Sequence, residues 1–214
     1  MNTQTKRLIA VQTGLGKTYT DNNYTEVLDT DKYTLEIKYN RDKYSNLTDE
    51  EFKNIKKTQK ENWFPTYIET TTTLIKTSKE QVLLLWLQSN LLETLYKEGY
   101  NIEVVLLHPD YVNQDILIER LKQRGNTESF YNRINIKEQY EKYKNDTRYT
   151  RHIVTDNLYL DDILVATGTP LANYKHSKEY INQSKEKILT IKATQTPSNM
   201  IKWNMVIILN NVLG

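Results

Sequence analysis

Cysteine is absent from this chain of 214 residues, which excludes a disulfide framework, a thiolate zinc site and a cysteine nucleophile. The absence agrees with a reducing, cytoplasmic setting. Long apolar runs are missing as well: the most apolar stretches, Gln81 to Leu87 and Met205 to Leu209, fall far short of the roughly 20 residues that a membrane-crossing helix needs. No membrane partner is expected. Met1 to Lys6 is polar and lacks both the apolar stretch and the small-residue cleavage site of a signal peptide. Neither sign of charge is in excess. The 29 basic and 27 acidic residues are interspersed and leave a net charge of +2, so composition offers no basic face for gripping nucleic acid. The histidines His108, His152 and His176 are scattered, and no spacing of His, Asp and Glu reads as a dedicated metal site.

What the chain does hold is an alternation of short apolar runs and amphipathic stretches. Its hydrophobic fraction of 38% is below the usual range yet can still supply the core of one domain. Arg7 to Gln12 reads as a strand that runs into Gly14 and Gly16 and then into a helix starting at Lys17, Thr18 and Tyr19. Thr25 to Leu28 reads as a second strand with a polar tip, Asp29 to Lys32. Residues 33–62, rich in Lys, Asn, Asp and Tyr, read as a surface insertion. Within it Thr48 and Glu51 have the spacing of a capping box, for a helix from about Asp49 to Lys60. Pro65 suits the first turn of a separate helix through Ile75, although the β-branched run Thr70 to Thr73 disfavours it.

Gln81 to Leu87 and Ile102 to Leu107 are apolar at every position but Gln81 and Glu103, as suits strands covered on both faces. Leu91 to Glu98 with Gly99 beyond it suits a helix and its cap. Asp110 to Lys122 has apolar residues at helical spacing, Phe130 to Lys144 reads as one more helix, Arg151 to Val154 as a strand and Leu160 to Ala166 as a closing helix. Such alternation predicts right-handed crossovers and a mostly parallel sheet. Residues 167–214 change in character to Asn, Lys, Ser and Thr. They read as an extension of unknown role, with a helix near Ser177 to Glu186 plus strands, or a partly disordered tail; a homodimer interface is one use open to it.

A glycine-rich turn between strand and helix lets backbone N–H groups close around phosphate, with the helix start and a lysine adding favourable charge. Thr13, Gly14, Leu15, Gly16, Lys17, Thr18 and Tyr19 are therefore the expected binding residues for ATP, with Thr18 holding Mg2+. The full Walker pattern has glycine where Val11 stands, so only its second half is matched. The string also resembles the first motif of helicases and translocases, but the chain is too short for two motor domains. No apolar strand ends in an acidic pair, since Asp49 to Glu51 and Asp161 to Asp162 sit in helix-like context.

The order of motifs resembles the small P-loop kinases of the nucleoside and nucleoside monophosphate type, particularly forms encoded by bacterial viruses. The resemblance rests on the phosphate loop, then Val27 to Asp31 with Lys32 and Tyr33, then Asn62, Trp63, Phe64, Pro65 and Tyr67, then Glu119, Arg120, Arg124, Gly125 and Asn126. It spans roughly Arg7 to Leu164. It implies a three-layer α/β P-loop NTPase fold with a mostly parallel five-stranded sheet flanked by helices, a kinase-like domain over 1–166 and a lid-like region over 123–150. It implies Mg-assisted phosphoryl transfer from ATP to a nucleotide, nucleoside or related hydroxyl acceptor. Phosphoryl transfer asks a protein mainly to position two anions and to neutralise the charge between them. Lys17 with Arg120 and Arg124, four apart on one helix face, would supply that charge. Asp29 or Asp31 would take the acceptor's proton or hold magnesium through water. Trp63, Phe64 and Tyr67 would wall a base. Gln88, with Ser89, stands at the end of strand three where an acid is expected, and is a candidate substrate contact. Two other readings stay open: a kinase of hydroxymethylated bases in DNA, and an ATP-binding regulatory protein without turnover.

Overall fold

The computed structural model describes residues 6–34, 46–123, 128–131 and 134–195. Its centre is a six-stranded sheet in the order β2-β3-β1-β4-β5-β6. The strands are β1 (Arg7–Val11), β2 (Val27–Asp29), β3 (Val82–Trp86), β4 (Ile102–Leu107), β5 (Thr150–Val154) and β6 (Ile188–Ile191). Neighbours from β2 to β5 pair in parallel, and β6 closes the far edge antiparallel to β5. The sequence predicts five strands. The sixth comes from the C-terminal segment, where half-buried Ile188 and Ile191 flank exposed Leu189 and Thr190 in a pattern too short to stand out.

The period of two along each strand divides the core into two halves. Ile9, Val11, Val27, Leu84, Val105, Leu107 and Val154 face one side, against Tyr24, Leu117, Ile163 and Leu164. Leu8, Ala10, Leu28, Leu83, Leu85, Val104 and Leu106 face the other, against Tyr67, Ile75, Leu91, Leu92 and Leu95. Both faces are covered, which is why β3 reads as a continuous apolar run and β4 as one broken only at Glu103. Full burial of each such side chain contributes about 1.5–3 kcal/mol, so the two layers supply most of the favourable free energy.

The helices follow from local signals. On the first face lie α1 (Lys17–Asn23), α5 (Gln114–Gln123) and α8 (Leu160–Ala166). On the second lie α3 (Asp49–Thr77) and α4 (Ser89–Lys97). The remaining helices are α2 (Asp31–Thr34), α6 (Glu128–Tyr131), α7 (Ile136–Tyr143) and α9 (Lys178–Glu186). Thr48 caps α3 in the expected box with Glu51. The helix then continues through Pro65 rather than restarting there, so two expected helices are one of 29 residues. Pro65 sits on the exposed side, while Tyr67, Thr71 and Ile75, spaced four apart, seat the same helix on the sheet. Packing thus outweighs the cost of proline and of the β-branched run. The stretch 130–144, expected as one helix, is interrupted, because Asn135 accepts from Glu138 N at 2.9 Å and starts α7 afresh. The helix expected from Asp110 begins at Gln114, after a turn in which Tyr111 and Val112 both donate to the carbonyl of His108. Among the described residues no helix is long and apolar enough to cross a membrane.

Candidate functional site

The direction in which each strand hands over to its helix locates the site. After β1 and β4 the chain turns to the first face, with Leu15 and Leu117 in its core; after β2 and β3 it turns to the second, with Tyr67 and Leu91 in that core. β1 and β3 are neighbours whose connections part in opposite directions. Beyond the C-terminal ends of two such strands a crevice opens, the general ligand site of open α/β sheets.

Thr13 to Thr18 lies at this crevice. Gly14 and Gly16 have φ of 100° and 97°, a backbone region that glycine adopts without strain. Gly14 also lies under α5, where an added Cβ would come 3.6 Å from Leu117 Cβ and 3.7 Å from Leu121 Cδ1. Val11, which stands at the first Walker glycine position, is the last residue of β1 and fully buried, so the loop is tight from its start. Leu15 is buried in the core, leaving only its backbone for a ligand, while Tyr19 is exposed. Helix α1 is seven residues long, so its dipole adds little and the charge of the loop rests on Lys17.

Lys17 is 8% exposed and sits between two carboxylates. Its Nζ is 2.5 Å from Asp31 Oδ2 and 3.7 Å from Asp29 Oδ1. Thr18 Oγ1 donates to Asp29 Oδ2 at 2.9 Å, and the Asp31 amide donates to Asp29 Oδ1 at 3.1 Å. Asp29, read from the sequence as part of a polar strand tip, has no exposed surface. Burial pushes its carboxyl above the usual range; Lys17 opposes the rise and Asp31 adds to it. One buried and one partly exposed acid around a single ammonium form a site able to exchange a proton or to release its cation to an incoming anion.

Tyr67 completes the group from α3. Its hydroxyl donates to Asp31 Oδ1 at 2.7 Å and lies 3.2 Å from Thr30 Oγ1, which in turn donates to the carbonyl of Leu84. The ring is 1% exposed and meets Trp86 edge-on at 6.5 Å. It therefore offers no open face to a base, contrary to the expected aromatic wall; what it does is orient Asp31. Burial and the adjacent Asp31 raise its phenol pKa well above the ordinary value, so the hydroxyl stays protonated as a donor.

Other expected residues, where described, make different contacts. Arg120 places its guanidinium 4.2 Å above the ring of Tyr159, an exposed tyrosine at the end of the β5 connection that sequence reasoning passed over. Arg124, Gly125 and Asn126 lie outside the described residues, as do the side chain of Trp63 and the segment Met205 to Leu209. Gln88 caps α4, accepting from Leu91 N at 2.7 Å. For magnesium, Thr18 and Asp29 offer adjacent oxygens, which suits an ion that keeps most of its waters. Among the described residues no cluster of three His, Cys, Asp or Glu forms a denser cage.

Together the fold and site define a mostly parallel α/β protein with a lysine–diaspartate centre beside a glycine-rich loop at the strand switch point. No family model, curated protein or solved structure matches the chain.

Proposed function

We propose that the chain is a P-loop phosphotransferase that transfers the γ-phosphoryl of ATP to an oxygen of a nucleotide-like acceptor. The observation that carries this reading is the convergence of Lys17, Thr18, Asp29, Asp31 and Tyr67, from four elements, on the crevice beside Gly14 and Gly16. Lys17 exchanges Asp31 for phosphate oxygens, and the released Asp31 carboxylate, held by Tyr67, takes the acceptor's hydroxyl proton. Thr18 and Asp29 would hold magnesium through oxygen and water, and the ion, when bound, neutralises phosphate charge. The strand order, with β3 inserted between β1 and β2, supports a P-loop architecture.

A second reading, nucleotide binding without turnover, has one observation in its favour. β3 is followed by Leu87, then by Gln88, spent on capping α4, and Ser89, paired with Tyr143 at 2.9 Å, so none of these three brings a carboxylate to the crevice. One experiment separates the two. The protein is incubated with ATP and magnesium against nucleosides, nucleoside monophosphates and plain or hydroxymethylated DNA, and products are read by mass spectrometry. Transfer to one acceptor that is lost in Lys17→Met supports the kinase; ATP binding without any phosphorylated product refutes it in favour of the second reading.

A further inference from the structure

Gln12, which follows β1 and precedes the glycines of the loop, is 3% exposed, yet its Nε2 is buried with no hydrogen-bond partner among the described residues. Buried side-chain amides ordinarily find partners, because a donor taken out of water and left unpaired loses hydration and gains nothing in return. An apolar side chain of similar size would fill the same space without that loss. The position therefore holds a donor that the fold itself does not use.

Its surroundings narrow what the donor is for. Lys17, Thr18, Asp29, Asp31 and Tyr67 are bonded to one another at this crevice, so they are matched before any ligand arrives. The backbone carbonyl of Gln12 takes part in the loop, accepting from Leu15 N at 3.4 Å, whereas its Nε2 joins none of these groups. The period of two that sets Leu8 and Ala10 on the second face carries Gln12 to the same side of the sheet as Tyr67, opposite Val11. The side chain thus belongs to the end of the crevice where Tyr67 holds Asp31, rather than to the end where Thr18 meets Asp29. A ligand that takes Lys17 from Asp31 is an anion, and the oxygens of an ionised phosphoryl group only accept hydrogen bonds, which is the complement of an unpaired N–H.

We propose that Gln12 is a phosphoryl-binding residue whose Nε2 donates to an oxygen of the γ-phosphoryl of ATP. The inference rests on the phosphotransferase reading for its ligand and goes beyond it in naming a side chain at a position that the Walker pattern leaves open to any residue.

The test compares full-length wild type with Gln12→Leu and Gln12→Met, which keep most of the bulk and remove the donor. Urea unfolding is measured without nucleotide, and Kd for MgATP and MgADP by calorimetry. Both variants are expected to unfold at the same urea concentration as wild type or a higher one, because an unpaired buried donor has been removed. They should bind MgATP about tenfold more weakly, the effect of one lost hydrogen bond, and MgADP, which has no γ-phosphoryl, less than about twofold more weakly. Unchanged MgATP affinity in both variants, or equal weakening of MgATP and MgADP, would overturn the proposal. So would unfolding of both at markedly lower urea, since the amide would then serve the fold. Wild type that binds neither nucleotide refutes this inference and the proposed function together. The expected variant effects without any phosphorylated product would refute the proposed function and leave Gln12 as a ligand residue; phosphoryl transfer with both variants matching wild type would do the reverse.

Discussion

Replacing Lys17 with Met keeps the apolar stem and removes the charge, and the cost should depend on pH in a way that reports on Asp29. Breaking a buried ion pair by removing one partner typically costs about 3–5 kcal/mol, because the remaining charge is left uncompensated. Here Asp31 is 15% exposed and can be partly solvated, whereas Asp29 has no exposed surface, so about 2–4 kcal/mol is expected at pH 8. For a domain of this size that lowers Tm by about 5–15 °C. The sign with pH follows from linkage. Asp29 already has a folded-state pKa above its unfolded value, so its ionisation disfavours the fold as pH rises through the window between the two. Lys17 is the group that holds this rise down, and without it the window extends upward. The difference between wild type and Lys17→Met should therefore shrink as pH falls and Asp29 takes up a proton, and grow as pH rises. Asp29→Asn placed in the Lys17→Met background should recover most of the loss, as a double-mutant cycle measures. The assay is thermal unfolding followed by circular dichroism from pH 5 to 8. A Tm loss independent of pH would refute the account of Asp29 as the buried charge that Lys17 neutralises. The same data establish whether Lys17→Met is folded when it serves as the catalytic control.

Three further outcomes follow from other contacts. Glu103 is held by Arg7 in a two-point pair at 2.7 and 2.6 Å and by His152 at 2.6 Å; burial alone would raise its pKa, but these bonds bring it from 4.5 down to about 2. Its contribution of about 3 kcal/mol is present above pH 4.5 and is lost as pH falls toward 2, so Glu103→Gln should flatten the acid limb of a stability–pH curve, and an unchanged limb would refute the role. Tyr67→Phe keeps the ring packing but frees Asp31, and under the proposed function should lower kcat several-fold with the KM for ATP unchanged; a KM effect alone would count against a positioning role. Tyr174→Phe removes a 2.6 Å hydrogen bond to the buried carboxylate of Asp162 and should cost about 1.5–3 kcal/mol in urea unfolding; no change would mean that the C-terminal segment is not tied to α8 there.

The residues that the sequence displays well are those whose environment is decided locally. β4 matches its expected span, because a run apolar at every position but Glu103 suits a strand covered on both faces. Helix α8 likewise falls on Leu160 to Ala166, and the Thr48 to Glu51 box starts α3 as its spacing requires. Some of the misses share one physical cause, which is that partners distant in the chain override local preference. Pro65 and Thr70 to Thr73 argue for a helix start and a weak helix, yet Tyr67 and Ile75 anchor that stretch on a sheet face whose strands lie elsewhere in the sequence. The same holds at the site. Gly14, Gly16, Lys17 and Thr18 are adjacent, so their pattern is visible as a string; that Asp29 is buried is not, because it depends on Lys17 twelve residues before it and on a strand, β3, that pairs over β2 from fifty-odd residues after it. Tyr67 illustrates the limit most sharply. Its place beside Pro65 invites reading the ring as a binding surface, whereas it is the hydroxyl that meets Asp31, 36 positions away. A side chain's type narrows what it can do, but which of its atoms acts is fixed by whatever the fold sets against it.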